Sequence, residues 1–263
     1  NKAPKKNALS INYFAKATEL CFKHLGGYEK EKKFISNIFY NAFVNSNRDT
    51  PSVTVVYGEP GIGKTSLVFA GAKEYGAAIF RIDLGDFTSQ NSNSYYDLSD
   101  GEKEKPDEKL FSILKTLVDY VCQSPSFTSK QPSVLLAENA SIMLDQEQFE
   151  TVIKVLDQYC KQKGLENIAI VITTNNIYTP YIGKQYFSAF CNFIPLDLPL
   201  YNERIDIINK IIENYKINIE NNANIEIIAQ LTKDLVAREI RDLLLIAKNN
   251  ATITHASNDN DIL

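Results

Sequence analysis

Arginine is scarce in this chain: Arg48, Arg81, Arg204, Arg238 and Arg241 are all there are in 263 residues. Neither sign of charge dominates, since the formal net charge is -4, and that balance makes no general case for nucleic-acid binding. No stretch approaches about eighteen consecutive apolar residues, which excludes a membrane-spanning helix of the usual kind. The four cysteines, Cys21, Cys122, Cys160 and Cys191, lack metal-ligand spacing. Three sit in apolar surroundings, and reduced buried thiols suit an intracellular compartment, cytoplasmic or nuclear. Asn1 to Asn7 are not followed by a signal-type apolar core, and the chain starts without Met. It can therefore be an excised domain, with any targeting segment outside it. No internal repeat is visible.

Glycine is unevenly spent. Of eleven glycines, three fall between Gly58 and Gly63. There Gly58-Glu59-Pro60-Gly61-Ile62-Gly63-Lys64-Thr65-Ser66 matches G-x-x-x-x-G-K-[ST], a phosphate-binding loop. The β-branched run from Ser52 to Tyr57 precedes it as a strand, and Leu67 to Lys73 follows as a helix, which is the context the motif requires. Backbone N–H groups of such a loop approach phosphate oxygens where no Cβ intervenes. The helix N-terminus and Lys64 add positive charge, and the Thr65 hydroxyl is the candidate Mg²⁺ ligand. The motif predicts binding of ATP or GTP.

Alternation of strands and helices then fills the chain to about residue 199. Strands are expected at 52–57, 77–83, 133–137, 168–173 and 193–196. Helices are expected around 34–43, 67–73, 107–122 and 145–163, the last opened by Asp145 and Gln148 and stopped by Gly164. Such alternation demands a parallel sheet covered on both faces. From Pro199 the pattern is helical only, at 202–215, 224–231 and 236–250. The expected division is an N-terminal arm at 1–25, an α/β nucleotide-binding core at 26–199, a helical lid at 200–250 and a frayed tail at 251–263. Between Thr88 and Asp107 the composition is that of a long polar loop. The first 33 residues hold Lys2, Lys5, Lys6, Lys16, Lys23, Lys30, Lys32 and Lys33. This is a solvated basic arm or a contact for phosphate or an acidic partner.

The order Gly26-Gly27-Tyr28, phosphate loop, Glu138 and Asn175 at strand ends, Leu198 to Arg204, and Val236 to Arg241 resembles an AAA+ ATPase over about residues 24–250. The branch with FtsH and katanin is the most similar. The resemblance implies a P-loop NTPase sheet in the order 5-1-4-3-2 with a small C-terminal helical lid, and ATP with Mg²⁺ as cofactors. It places Gly26, Gly27 and Tyr28 at the adenine, where the other reading is a turn before a helix. Glu138 matches the water-activating glutamate, or is a solvated strand-end acid. Asn175 matches the first sensor, or is a turn residue. Arg238 matches a second sensor reaching from the lid, or makes a surface ion pair. The family's pore-loop aromatic has candidates in Phe87, Tyr95 and Tyr96.

Two departures stand out. The family's Mg²⁺-supporting Asp directly precedes its water-activating Glu, and before Glu138 stands Ala137, so the Walker B motif reads as degenerate. The family's arginine finger has no counterpart, since Ile177 to Ile194 holds only Lys184. Two functions follow. One is ATP-driven remodelling of a protein or nucleoprotein assembly within an oligomer of AAA+ subunits. The other is a nucleotide-dependent binding or assembly subunit with weak or no hydrolysis, including an origin- or helicase-loader-like one.

Overall fold

The computed structural model describes residues 11–14, 19–45, 53–83, 106–124, 131–139, 154–156, 158–165, 167–175, 191–219 and 224–260. The start of the expected helix at 145–163, Phe87, Tyr95 and Tyr96, the finger interval up to residue 190, and Lys2, Lys5, Lys6 and Lys16 lie outside them.

Runs of Val, Ile and Leu with no polar interruption make strands that can be buried on both faces. Strands β4 (Ser133–Glu138) and β5 (Ile168–Thr174) are of this kind, buried along their whole length. They lie at the centre of a six-stranded sheet ordered β1-β3-β4-β5-β2-β6, with β1 at Ile11–Phe14, β2 at Val53–Gly58, β3 at Ala78–Asp83 and β6 at Cys191–Leu196. All pairings from β3 to β6 are parallel. Counted among the parallel strands alone, this is the expected order 5-1-4-3-2, the fold of a P-loop NTPase. An addition is β1, which pairs antiparallel with β3 from Ile11↔Ile82 to Phe14↔Ile79. Four residues are too few to show a strand period, so the sequence reads only as an arm.

Side chains alternate across the sheet, and that alternation decides the site. On one face Val55, Phe80, Leu135, Ala137 and Ile172 pack with Leu114, Leu117, Val118 and Val121 of α3 (Pro106–Gln123). On the other, Val56, Ile79, Val134, Leu136 and Val171 pack with α1 (Glu29–Phe43) and α2 (Lys64–Glu74). In α1, Ile35, Phe39 and Phe43 are buried, and Phe34, Ile38 and Ala42 flank them.

The C-terminal helices are α4 (Tyr201–Tyr215), α5 (Ile225–Leu231) and α6 (Ala237–Asn260), gathered around Ile207, Ile208, Ile211, Ala229 and Ile240. Buried Arg204 joins α4 to α5, donating to the Ala229 carbonyl at 2.8 Å and to the Pro199 carbonyl at 2.6 Å. The helix expected to end near residue 250 continues to Asn260. The polar, β-branched composition of that last stretch hid its helical backbone from the sequence pattern.

Candidate nucleotide site

Strand β2 stops at Gly58 and α2 starts at Lys64, so residues 59–63 form the loop between a buried strand and a helix N-terminus. Gly63 caps that helix without any side-chain hydrogen bond, which leaves the first-turn amides directed outward and available to an anion. The Lys64 ammonium folds over the loop. It donates to the carbonyls of Gly58 at 2.7 Å and Glu59 at 2.9 Å, and to Oδ1 of Asn175 at 2.9 Å. Asn175 arrives there because β5 is the sheet neighbour of β2. Burial, with the Arg238 guanidinium as the second cause, holds the Lys64 pKa below its ordinary value, and Glu138 opposes the shift. Two cations thus face one space, a field that an anionic ligand would relieve.

The lid helices close that space. The Arg238 N–H at the start of α6 donates to the Gly61 carbonyl at 3.1 Å. Gly61 has φ +87°, and a Cβ on it would come within 3.0 Å of the Arg238 Cβ, so close docking of lid on loop depends on glycine. On the opposite wall a Cβ at Gly26 would stand 2.3 Å from the Asp206 carbonyl oxygen of α4. The Tyr28 N–H donates to Oε1 of Glu203 at 3.3 Å and its hydroxyl to the Asp197 carbonyl at 3.0 Å. Burial, then the Glu203 charge, raises the Tyr28 pKa. The resulting cavity of about 520 Å³ is lined by Gly26, Gly27, Tyr28, Pro60 to Ser66, Asn175 and Arg238, and also by Asn139 and Arg241. Glu59 contributes its carbonyl to Lys64 and is absent from the lining.

At the cavity floor the Thr65 hydroxyl donates to Oε1 of Glu138, which is 2% exposed. Arg81 of β3 holds the other oxygen, with Nε 2.5 Å from Oε2 and a second contact from its terminal nitrogen. The next residue, Asn139, has φ +53°, and its Nδ2 donates to Oδ1 of Asp83 at 2.9 Å. Ala137 is fully buried in the apolar layer beneath α3, on the face of the sheet away from Thr65. Ala137, on which the expected degenerate Walker B rested, therefore does not face the Thr65 hydroxyl. The pleat aims position 137 into the core, and the acid that meets the Thr65 hydroxyl is Glu138.

A hydroxyl beside buried and half-buried carboxylates is an oxygen donor set, which suits a hard divalent cation such as Mg²⁺. Uncapped amides with a lysine and an arginine beside them suit phosphate. Among the described residues, no three His, Cys, Asp or Glu side chains gather as a metal cage of their own. Sequence reasoning missed Arg81, Asn139 and Arg241. Arg81 carried one available signal, a guanidinium directly after the apolar run Ala77 to Phe80.

Residues 54–182 match the model of the AAA family, the ATPase family associated with various cellular activities. A proteasome-activating nucleotidase of Saccharolobus solfataricus is 22% identical over 237 residues, covering 86% of this chain and 56% of its own. One from Methanocaldococcus jannaschii is 24% identical over 258 residues, covering 91% and 56%. A replication factor C large subunit of Methanococcus aeolicus is 24% identical over 224 residues, covering 84% and 39%. The chain therefore spans about half, or less, of the length of these curated relatives. These similarities do not single out the FtsH and katanin branch.

Proposed function

With the match of residues 54–182 to the AAA family model as the premise, we infer that this chain is the ATP-binding part of an AAA+ assembly subunit with weak hydrolysis of its own. ATP with Mg²⁺ sits between loop and lid. The α2 amides and Lys64 take the phosphates, Arg238 reaches them from the lid, and Gly26 to Tyr28 border the adenine. Asn175, bonded to Lys64, would read the terminal phosphate. Thr65 holds the cation, with Glu138 behind it. Mg²⁺ supplies charge neutralisation for the phosphates; the protein supplies the oriented donors.

The observation that carries the reading is the Thr65–Glu138 hydrogen bond. It supports a metal-supporting role for Glu138, which on this reading leaves the water-activating role, one residue later, to Asn139. An amide orients water but accepts no proton at neutral pH, so binding is retained while turnover is slow. Nucleotide occupancy would then fix the angle of the lid and thereby an oligomer interface.

Remodelling of a protein or nucleoprotein assembly is the wider role this supports. One relative is named for activating a proteasome and another for replication, at similar identity. The test is titration of a fluorescent ATP analogue alongside a phosphate-release assay on the same sample. Saturable, Mg²⁺-dependent binding with little release is expected. A folded protein that binds no nucleotide would refute the reading, and fast release by the chain alone would refute its second half.

A further inference from the structure

We propose that Arg81 is a positioning residue, the built-in countercation of the metal-supporting carboxylate, and that it competes with Mg²⁺ for Glu138. The proposal rests on the nucleotide-site reading above, but one arm of its test does not.

The sheet register sets Asp83 directly opposite Glu138 on the neighbouring strand. Two carboxylates in that relation repel, and Glu138 is buried, where an unpaired charge is costly. Arg81 lies two residues before Asp83, on the same face of β3. Its guanidinium spans both acids, touching Oε2 of Glu138 through two nitrogens and standing 3.9 Å from Oδ2 of Asp83. Thr65 takes the remaining Glu138 oxygen. Without ligand, then, the acid that serves the cation is already neutralised by a fixed positive charge. That charge opposes a free divalent ion, and the phosphates of a nucleotide restore the balance in its favour. Arg81 therefore makes cation binding conditional on nucleotide. Its side chain is 32% exposed, so the guanidinium has solvent into which it can turn when the cation arrives.

The test compares wild type with Arg81→Gln, Arg81→Lys and Asp83→Asn. Mn²⁺ alone is titrated by electron paramagnetic resonance, and the Mg²⁺ concentration for half-maximal binding of a fluorescent ATP analogue is measured separately. Removing a unit charge this near a cation is expected to tighten Mn²⁺ about tenfold in Arg81→Gln and to lower the Mg²⁺ midpoint similarly. Arg81→Lys keeps the charge and should stay near wild type. Asp83→Asn leaves the guanidinium wholly to Glu138 and should weaken Mn²⁺. Unchanged or weaker Mn²⁺ binding by Arg81→Gln overturns the proposal, since a guanidinium that merely props Glu138 would give that result. Should Arg81→Gln fail to fold, Asp83→Asn decides, and Mn²⁺ affinity equal to wild type overturns it. Absence of nucleotide binding in wild type would sink the site reading instead, while the metal-alone arm still decides the role of Arg81.

Discussion

The Thr65 hydroxyl, at the first turn of α2, donates its hydrogen to the Glu138 carboxylate at the end of β4. One contact fixes which face of β4 belongs to the site. Ala137 points the other way, with no exposure, into the layer shared with Ile82, Leu135 and Ile172. Ala137→Asp should therefore restore nothing. It should lower stability by about 3 kcal/mol or more, because it buries a carboxylate without a partner. Denaturant unfolding measures the loss. An Ala137→Asp protein of undiminished stability and raised ATP turnover would reverse the assignment of the two positions.

Lys64→Ala should weaken ATP binding by about 100-fold, the worth of one or two charge-assisted hydrogen bonds. The uncapped amides of α2 remain, so residual binding of inorganic phosphate is compatible with the loss. The nucleotide-free protein also loses the donor shared by the Gly58 and Glu59 carbonyls. Calorimetric titration of the folded variant is the measurement, and unchanged affinity would remove the phosphate loop from the site.

The parallel sheet was legible because β4 and β5 are unbroken apolar runs and the loop between β2 and α2 carries its own signature. Register along a strand end was less legible. Reading Val134 to Asn139 as text does not say which of two adjacent residues faces the loop; the pleat and the position of Thr65 do. Arg81 was hidden for a related reason. Its partner lies 57 positions away, on a neighbouring strand, and only pairing brings them together. The wall formed by Gly26 and Asp206 depends in the same way on how α4 docks.

Gly26→Ala tests that wall. The added Cβ would meet the Asp206 carbonyl at 2.3 Å, and backbone cannot move aside as a flexible side chain can. The lid should loosen, with faster amide exchange in α4 and a nucleotide affinity lower by roughly tenfold, the scale of about 1.4 kcal/mol of lost closure. Exchange in β4 and β5 should not change. Slow α4 exchange equal to wild type would show that Gly26 is no hinge for the lid.

A surface pair gives the pH dependence. Hydrogen bonds from Lys115, then from the Tyr159 hydroxyl, hold the Asp119 pKa down at about 2. The unfolded value is about 3.9. A depressed acid contributes stability above its unfolded pKa and loses that contribution as pH falls through its folded pKa. The contribution of Asp119 should be complete at pH 5 and above, and lost progressively from about pH 4 to about pH 2. Because the group is near solvent, Asp119→Asn should cost no more than about 1 kcal/mol at pH 7, and nothing near pH 2. Urea unfolding at the two pH values checks the sign; an equal cost at both would mean the contact is packing and not charge.

The last prediction concerns Asn139, the residue that the proposed function sets in the place of a base. Its side chain is bonded to Asp83 and its backbone is at positive φ, yet it lines the cavity beside the phosphate loop. Asn139→Glu replaces an amide that orients water with a carboxylate that can take its proton. The Asp83 charge would repel the new acid, away from the strand edge and toward the cavity. A positioned general base is worth about 10²–10⁴ in rate, and the strained backbone costs part of it, so a gain of about 100-fold in ATP turnover is expected. Adding Lys64→Ala should erase the gain, because no phosphate is then held. Adding Glu138→Ala should also erase it, because Thr65 loses the acid behind it. If a neighbouring subunit supplies an arginine, the gain should grow with protein concentration. Suppose Asn139→Glu binds ATP as wild type does and stays inert at every concentration. The missing base would then not be what limits turnover, and the weak hydrolysis assigned to this chain would have to lie with its scarcity of arginine.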